Sequence, residues 1–289
     1  MKHILPRHTL LSLAAAVALT SAAFAADTFD RTLTVSGPAD LYVSTGAGNI
    51  RIHPGSDSQI HIIGHIHADW SSFGDVQKRV QQIVDAPPIT QSGNAVHVGE
   101  TNDRQLYNHI SIDYEITAPV SVALNLHCGS GDVEVDNLGR YLSASDGSGN
   151  VRAHGISGPA DVGTGSGDIE LDQTGPGDIK AKTGSGNIRI HNFNGAFWAR
   201  TGSGDVEGDG TLTGAGNIST GSGNARLHLS SDAHFNLEAS TGSGDIRIHF
   251  PGAPEQGEHN RHHMTAAING GGQPLEIRTG SGDIEVSPR

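Results

Sequence analysis

A short glycine-rich motif that recurs at a nearly constant spacing constrains the fold more than any other feature of this sequence. The motif reads Gly, any residue, Gly, Asp or Asn, then an apolar residue. Its copies begin at Gly46, Gly129, Gly147, Gly165, Gly175, Gly184, Gly202, Gly214, Gly221, Gly242 and Gly280. From Gly129 onward the principal copies follow one another about every 18–19 residues. The longer step from Gly242 to Gly280 corresponds to two further periods. A fixed period of this length is typical of a solenoid.

Each copy of the motif leads into a segment in which apolar and polar residues alternate. Ile169 and Leu171, for example, are separated by one polar residue and therefore share one face, as in a β-strand. A second strand, with apolar residues such as Ala160 and Val162, ends just before the next motif. Glycine permits the sharp corners between these strands. We expect the Asp or Asn of the motif to bond local backbone amides there.

These features predict an all-β fold, a single-stranded β-solenoid with about 18–19 residues per coil. Apolar residues lie nine or ten positions apart, as in Ile169, Ile179 and Ile188, and do not follow the hexapeptide rhythm of a left-handed β-helix. We therefore expect a right-handed β-helix, the hand that parallel crossovers usually take. A less regular β region is expected over 26–127, followed by regular repeats over 128–289.

Two segments interrupt the repeats. A short amphipathic helix is predicted around 73–85, near the N-terminal end of the solenoid, because Val76, Val80 and Ile83 lie on one helical face. We expect this helix to cover the open end or a flank of the stack. The segment 251–264 is polar and rich in Pro and Gly, which predicts a projecting loop.

The N-terminal segment 1–25 has the pattern of a secretory signal peptide. Lys2 and Arg7 precede an apolar run that ends in small residues at Ala23 and Ala25. No later segment is apolar over the length that a membrane-spanning helix needs, so no membrane span is predicted. We expect an exported protein that is periplasmic, on the cell surface or secreted. Removal of Lys2 and Arg7 leaves 16 basic against 31 acidic residues, a net charge of −15, which argues against a nucleic-acid partner.

A resemblance to a known family is carried by the segment YEITAPVSVALNLHCGSGDVEV at 114–135 and by the repeats TGSGDIEL, TGSGNIRI and TGSGDIEV that follow it. The chain resembles a bacterial "putative adhesin" family of unknown function, whose members have an N-terminal signal and tandem T-G-S-G-D-I repeats. The resemblance implies a surface or envelope role and supplies no catalytic residues. Cys128 stands before the first of these repeats, where Thr is usual.

Three kinds of chemical site compete with a purely structural role for the repeats. Calcium-binding β-rolls place Asp two positions after Gly, whereas here it follows Gly directly and is often Asn. A carbohydrate-active β-helix enzyme would use stacked carboxylates as acid and base, here Asp132, Asp168, Asp205, Asp245 and Asp283, yet no coil differs from the others. His61, His65 and His67 share one strand face and are candidate zinc or copper ligands, although solvated polar faces are the favoured interpretation. No cofactor is predicted.

The outward residue after the apolar position of each motif alternates in charge. In successive coils it is Glu134, Arg152, Glu170, Arg189, Glu207 and Arg226. If coils stack about 4.8 Å apart, opposite charges are neighbours. The sequence therefore predicts a structural charge ladder that specifies which coil lies beside which.

The favoured function is a non-enzymatic binding, adhesin-like or scaffolding role at the cell envelope. Its partner would be an envelope or surface ligand, either a protein or a polysaccharide, and the β-helix enzyme stays open as the alternative. The last coil, TGSGDIEVSPR, is expected to leave its strand edges open. Open edges promote pairing between chains, so we expect weak end-to-end self-association.

Overall fold

A computed structural model describes residues 27–68, 75–100, 103, 105–253 and 261–289. The signal peptide predicted at 1–25 lies outside these residues. The described residues form twenty-two strands and one helix, which confirms the all-β class. No helix in the described ranges has the length and apolar character needed to cross a membrane.

The strands are Thr28–Thr34 (β1), Asp40–Thr45 (β2), Ile50–Pro54 (β3), Gln59–Ala68 (β4), Ile89–Ser92 (β5), Ala95–Val98 (β6), Ile110–Ala118 (β7), Ala123–Cys128 (β8), Val133–Asp136 (β9), Tyr141–Asp146 (β10), Val151–Ile156 (β11), Ala160–Thr164 (β12), Ile169–Gln173 (β13), Ile179–Ser185 (β14), Ile188–Ser203 (β15), Val206–Ser222 (β16), Ala225–Leu229 (β17), Phe235–Thr241 (β18), Ile246–Ile248 (β19), His263–Ile268 (β20), Gln273–Ser281 (β21) and Ile284–Pro288 (β22). The helix, Val76–Asp85 (α1), lies between β4 and β5 in the chain.

Parallel strands stack in two flanks, and each regular coil contributes one strand to each flank. The first flank contains β7, β3, β9, β11, β13, the N-terminal parts of β15 and β16, β17, β22 and β19. The second flank contains β6, β2, β8, β10, β12, β14, the C-terminal parts of β15 and β16, β21 and β18.

The register of these strands reproduces the period of the motif. Val151 pairs with Ile169, and Ile169 pairs in turn with Ile188. These three residues occupy the same position in successive copies of the motif. The solenoid-like stacking of the coils agrees with the fold expected from the repeats. Its right-handed winding stays a prediction.

The interior is filled by the aliphatic residues that alternate along both flanks. Ile169 and Ile188 are fully buried on the first flank. The apolar pairs expected on the second flank are all buried, namely Ala160 and Val162, Ile179 and Ala181, Phe197 and Ala199, Leu237 and Ala239, and Leu275 and Ile277. Burial of these side chains is the main term that favours the folded chain.

At the corners of the coils, the backbone of one coil is in close contact with the backbone of the neighbouring coil. A Cβ atom added to Gly149 would lie 1.6 Å from the carbonyl oxygen of Gly131 in the preceding coil. Gly204 has a φ of +149°, and a Cβ added there would lie 2.0 Å from the carbonyl oxygen of Gly186. Only glycine fits these positions, which explains why the same motif recurs in coil after coil.

The order of coils in the stack differs from their order in the chain at the C-terminal end. Ile284 in β22 pairs with Ala225 in β17 on one side and with Ile246 in β19 on the other. The last coil is therefore inserted between two earlier coils. The spacing predicted two periods of the stack between Gly242 and Gly280, and this prediction is wrong. Part of this length forms β20, which runs antiparallel to β18.

This insertion also corrects the prediction of an open C-terminal edge. The amide of Ile284 donates to the carbonyl of Asp245 at 2.9 Å, and the amide of Ala225 donates to the carbonyl of Asp283 at 2.9 Å. Because β22 is hydrogen-bonded on both sides, the last coil offers no free edge for end-to-end self-association. Of the loop expected at 251–264, residues 254–260 lie outside the described part, and β20 already begins at His263.

A similar insertion occurs at the N-terminal end. The coil formed by β2 and β3 lies between β6 and β7 on one side and β8 and β9 on the other. Beyond β7, strands β4 and β1 continue the sheet in antiparallel fashion. Helix α1 buries Val76, Val80 and Ile83 and packs against β1 and β4, so it covers this end of the stack.

A column of buried hydroxyl groups runs along the second flank, where each strand meets its glycine corner. The hydroxyl of Thr164 donates to the carbonyl of Gly149 at 2.8 Å, and the hydroxyl of Thr183 donates to the carbonyl of Gly167 at 2.8 Å. Equivalent bonds are made by Thr45, Thr201, Thr220, Thr241 and Thr279. Each threonine thus satisfies a carbonyl in the neighbouring corner.

Two neighbours in this column depart from threonine. Cys128 and Asp146 pair in register on β8 and β10, and both are buried. Burial, and then the neighbouring carboxyl group of Asp146, raise the pKa of the Cys128 thiol to about 12. Oδ1 of Asp146 accepts the amides of Ser148 and Gly149, but Oδ2 is buried without a hydrogen-bond partner. The Asp146 side chain thus makes no bond to the corner carbonyl, which by register belongs to Gly131.

Substitution of Asp146 should reveal the cost of this unsatisfied oxygen. In Asp146→Asn, Oδ1 still accepts the two amides, and the side-chain amide can donate to the carbonyl of Gly131. The free energy of unfolding in urea at neutral pH is expected to rise by about 1–2 kcal/mol, the usual cost of an unsatisfied buried polar group. Asp57→Asn, at an exposed position, is the matched control and should change nothing. A less stable Asp146→Asn protein would contradict this account.

Disulfide trapping can test the inserted coil. Ser222 pairs in register with Ser281, and the amide of Gly282 donates to the carbonyl of Ser243, so Ser281 lies between the other two serines. Neighbouring coils are about 4.8 Å apart and second neighbours about 9.6 Å, whereas a disulfide needs Cα atoms within about 7 Å. The variant with Ser222→Cys and Ser281→Cys should form a disulfide, seen as a mass loss in non-reducing peptide mapping.

The matched control combines Ser222→Cys with Ser243→Cys, which are successive motifs in the chain. This pair should stay reduced under the same mild oxidation. A disulfide between residues 222 and 243, with none between 222 and 281, would show that the coils stack in chain order and that the last coil is terminal.

Candidate functional site

The solvent face of the first flank carries three parallel columns of polar residues, which we call the charged flank. The middle column, in stack order, is Glu115, Arg51, Glu134, Arg152, Glu170, Arg189, Glu207, Arg226, Glu285 and Arg247. The predicted ladder residues Glu134, Arg152, Glu170, Arg189, Glu207 and Arg226 occupy six consecutive strands of it. Because Glu285 lies between Arg226 and Arg247, the signs alternate through all ten strands.

The side chains of this column are neighbours but make few close ion pairs. Arg51 lies 3.5 Å from Glu134, whereas Arg152 and Arg226 lie nearer to the motif carboxylates Asp132 and Asp205, at 3.4 and 3.7 Å. In the described ranges, Arg189 has no ion pair. Exposed pairs of this kind contribute little stability individually. Their main effect on stability would come from repulsion, since a strand paired one coil out of place would put like charges beside each other.

The second column consists of Asp113 followed by the Asp or Asn residue of nine of the eleven copies of the motif. In stack order it is Asp113, Asn49, Asp132, Asn150, Asp168, Asn187, Asp205, Asn224, Asp283 and Asp245. For every member before the last, Oδ1 accepts the backbone amide of the next residue in the column, at 2.6 to 3.0 Å. The amides are thus those of the neighbouring coil, and the expectation of a bond within the same corner is wrong.

The third column alternates between histidine and aspartate, with Ser287 in place of one aspartate, and was not foreseen from the sequence. In stack order it is His53, Asp136, His154, Asp172, His191, Asp209, His228, Ser287 and His249. His53 lies 3.1 Å from Asp136, and His191 lies 2.6 Å from Asp209. The sequence does contain the pattern from which this column could have been predicted. Two positions after each Arg of the middle column there is a His, and two positions after most of its Glu residues there is an Asp.

The three columns together make each coil of the flank uniform in charge. One kind of coil presents Asp, Glu and Asp, as in Asp168, Glu170 and Asp172. Most of the others present Asn, Arg and His, and the two kinds alternate in the stack. Opposite character on neighbouring strands is favourable and like character is not. In the observed order of the coils, neighbouring strands of the middle column therefore carry opposite charges.

The one break in this pattern within the described chain lies at the C-terminal end of the flank. Asp283 and Asp245 are neighbours of like charge, and the guanidinium of Arg247 bridges them at 3.0 and 2.7 Å. The amide of Asp245 and then Arg247 hold the pKa of Asp283 below its ordinary value, and Asp283 raises the pKa of Arg247. The arginine thus neutralises the pair of carboxylates.

The three candidate metal-binding histidines are dispersed along β4. His61 contacts Asp30 at 2.8 Å, His65 lies 3.9 Å from Glu115, and His67 contacts Asp113 at 3.0 Å. Each imidazole thus faces a different carboxylate. Within the described ranges, no group of three or more His, Cys, Asp or Glu side chains is placed to hold a metal ion.

A cavity of about 1070 Å³ lies at the N-terminal end of the stack. Its lining includes Tyr107, Tyr114, His67 and His127, and the one carboxylate among the described lining residues is Glu100. Burial, with help from Asp103, raises the pKa of Tyr107 to about 12, and burial also raises the pKa of Tyr114. Both phenols are therefore neutral hydrogen-bonding groups rather than bases.

Charge reversal in the middle column should test the ladder. In Arg189→Glu, Glu170 and Glu207 on the neighbouring strands would face a third carboxylate. The free energy of unfolding should fall by about 1–2 kcal/mol at low salt, since each pair contributes about 0.2–1 kcal/mol. The loss should shrink in about 1 M NaCl, where exposed charges are screened. Urea denaturation measures both values.

Two further variants separate lost attraction from new repulsion. Arg189→Gln removes the charge without reversing it and should cost less than Arg189→Glu. Adding Glu170→Arg and Glu207→Arg to Arg189→Glu should restore much of the loss, although Arg152 and Arg226 then face like charges. A salt-independent effect, or no restoration, would rule out a ladder made by these residues.

Comparison with known proteins gives a family and several distant structural neighbours. Chains described as a "putative cell adhesion protein" from Clostridium sporogenes and as a "putative adhesin" from Bacteroides fragilis share 9% and 13% identity with this chain, with TM-scores of 0.24 and 0.34. The alignments cover 91% and 90% of this chain and 100% and 96% of the neighbours. A "putative adhesin" from Parabacteroides distasonis has 13% identity and a TM-score of 0.30 over 89% of this chain and 96% of its own.

No curated protein matches the chain. The family described as Toastrack DUF4097 matches residues 39–287, which include both flanks and both inserted coils. This range covers most of the chain and all of the repeats of the glycine motif. The protein therefore belongs to the Toastrack DUF4097 family.

Proposed function

We propose that the protein is an exported, non-enzymatic β-solenoid, wound in the right-handed sense, that binds a ligand at the cell envelope in an adhesin-like or scaffolding role. The observation that supports this most directly is the uniformity of the charged flank. Its carboxylates are engaged in repeated contacts between coils, as expected for a surface that serves stability and display rather than turnover.

Export is supported by the leader-like pattern of residues 1–25, with two cations before an apolar run and small residues at the expected cleavage site. The resulting chain is strongly acidic, with a net charge of −15. A net charge of this sign disfavours binding to the broad anionic surfaces of nucleic acid and lipid, although it leaves room for an anionic ligand at a local cluster of cations. Its partner is therefore a protein or a polysaccharide of the envelope or cell surface.

A non-enzymatic role is supported by the hydrogen bonds that the motif carboxylates make between neighbouring coils. In Asp132, Asp168, Asp205 and Asp283, Oδ1 accepts the amide of the next coil. Asparagine makes the same bond at alternate positions, so the role does not require an acid. Glycoside hydrolysis needs two carboxyl groups on opposite sides of the bond to be cleaved. The described lining of the large cavity supplies one, Glu100. A groove on the second flank is lined by two, but Asp161 is paired with Lys180 at 3.0 Å and Asp178 accepts the amide of Ala196 at 2.9 Å.

Binding without turnover can be measured with residues 26–289 and an envelope fraction. The protein should cosediment with the fraction in a saturable manner, and the amount of reducing sugar released into the supernatant should not rise above that of the fraction alone. Heat-unfolded protein serves as the control for nonspecific adsorption. Absence of cosedimentation would contradict the binding role.

Release of reducing sugar would instead favour the carbohydrate-active enzyme, and one variant identifies its source. Asp168 lies between Asn150 and Asn187 in its column, so Asp168→Asn keeps the hydrogen bond and preserves the fold. If this folded variant lost the release of sugar, the stacked carboxylates would be catalytic and the proposed function would be wrong.

A further inference from the structure

Two cations on the second flank depart from the charge order of the first. Lys182 in β14 pairs in register with Arg200 in β15, and both side chains are exposed. Like charges directly opposite each other on neighbouring strands are destabilising. The next residues in the same column are Gly163 and Ser219, which carry no charge. The stack therefore places two positive charges together without a negative neighbour in their column.

The rest of the described chain does not offset this repulsion. Across the described ranges, neither Lys182 nor Arg200 has an ion pair or a side-chain hydrogen bond. Lys180, two residues earlier on β14, does pair with Asp161 at 3.0 Å. Acidic residues outnumber basic ones by almost two to one after removal of the leader, so suitable partners are abundant. A local conflict without compensation is typical of a functional site.

Two further residues complete the arrangement. Lys180 pairs in register with Trp198, and its Nζ lies 5.8 Å from the centre of the indole ring. Lys180, Lys182, Trp198 and Arg200 thus form a two-by-two set on β14 and β15, which we call the basic array. The contact between ammonium and indole is favourable and fixes the ring beside the cations.

A groove of about 460 Å³ adjoins the basic array. Its lining combines apolar and aromatic surface, including Tyr141, Phe197 and Trp198, with a few polar groups, among them Asp161, Asp178 and Lys180. Tyr141 lies on β10 and Trp198 on β15, three strand steps apart, or about 14 Å along the stack. Apolar lining with a few placed polar groups is typical of a ligand site.

The geometry of the flank discriminates between kinds of anionic ligand. Strands β12 and β14 and the adjoining part of β15 are each hydrogen-bonded on both sides, so a peptide has no strand edge to extend. A polysaccharide needs no such edge, because its rings present C–H surfaces to aromatic side chains and its hydroxyl groups bond to carboxylates and amides. A carboxylate on the sugar would fit between Lys182 and Arg200.

We infer that the basic array and the adjoining groove bind an acidic polysaccharide that lies along the stack. A uronate carboxylate binds Lys182 and Arg200, and sugar rings pack against Trp198 and Tyr141. This assignment rests on the proposed function, because it names the class of envelope ligand and the surface that holds it.

The assignment can be tested by measuring the binding of a galacturonic acid tetramer to residues 26–289 by isothermal titration calorimetry at low salt. The matched ligand is the same tetramer with its carboxyl groups methyl-esterified, which keeps the rings and removes the charge. The acid form should bind at least tenfold more tightly than the ester. Equal affinity would contradict a role for the cations.

The decisive variant combines Lys182→Gln with Arg200→Gln. It should weaken binding of the acid form at least tenfold while raising the melting temperature slightly, because the like-charge pair is removed. Arg189→Gln, which removes an arginine from the charged flank, is the control and should leave the affinity unchanged. Tyr141→Ala should weaken binding of both forms of the tetramer, since it removes ring contact rather than charge.

The outcomes separate this inference from the proposed function. If the double variant loses both the tetramer and cosedimentation with the envelope fraction, the inference and the binding role both stand. If it loses the tetramer but still cosediments, the envelope ligand is held elsewhere, which overturns the inference and leaves the binding role intact. If it binds the tetramer as tightly as the unmodified protein, the basic array is not the site, although an envelope-binding role survives. Equally tight binding of single-stranded DNA by the unmodified protein would show a general anion surface and overturn the assignment to a polysaccharide.

Discussion

Close contact between successive glycine corners is the constraint on which this structure depends. Where the carbonyl of one coil lies at the position that a Cβ atom of the next would occupy, the chain can turn only with glycine. That contact places the motif side chain beside the amide of the neighbouring coil and the threonine hydroxyl beside its carbonyl. Backbone groups that a sharp corner would otherwise leave unsatisfied are thereby paired, a requirement for any buried backbone. The repeat of the motif is the consequence.

The sequence predicted the elements that depend on local pattern. Strand alternation at Ile169 and Leu171, the small residues facing inward on the second flank and the amphipathic face of the helix at 76–85 all follow from side-chain periodicity. The offset between paired strands of the regular coils follows from the spacing of the glycines. These features require no knowledge of which distant segments meet.

The order of the coils could not be predicted in the same way, because every coil has the same backbone pattern and fits beside any other. The clue was electrostatic. Arg226 and Arg247 are successive in the chain, and their like charges would have been neighbours in a stack that followed chain order. Insertion of Glu285 between them restores alternation. The His and Asp column was missed for a related reason, since its alternation acquires meaning only when coils are placed side by side.

The two flanks thus differ in what their charges do. On the first flank, the charges of the middle column alternate over ten strands, so that each coil is complementary to its neighbours. The last coil is inserted between two others, and its strand β22 is therefore paired on both sides. On the second, Lys182 and Arg200 oppose each other and gain nothing from the fold. A chain that avoids like charges so consistently on one flank has the means to avoid them on the other. The residual positive charge beside Trp198 is therefore best explained by a ligand, whose anionic groups would complete on the second flank the alternation that the first flank achieves by itself.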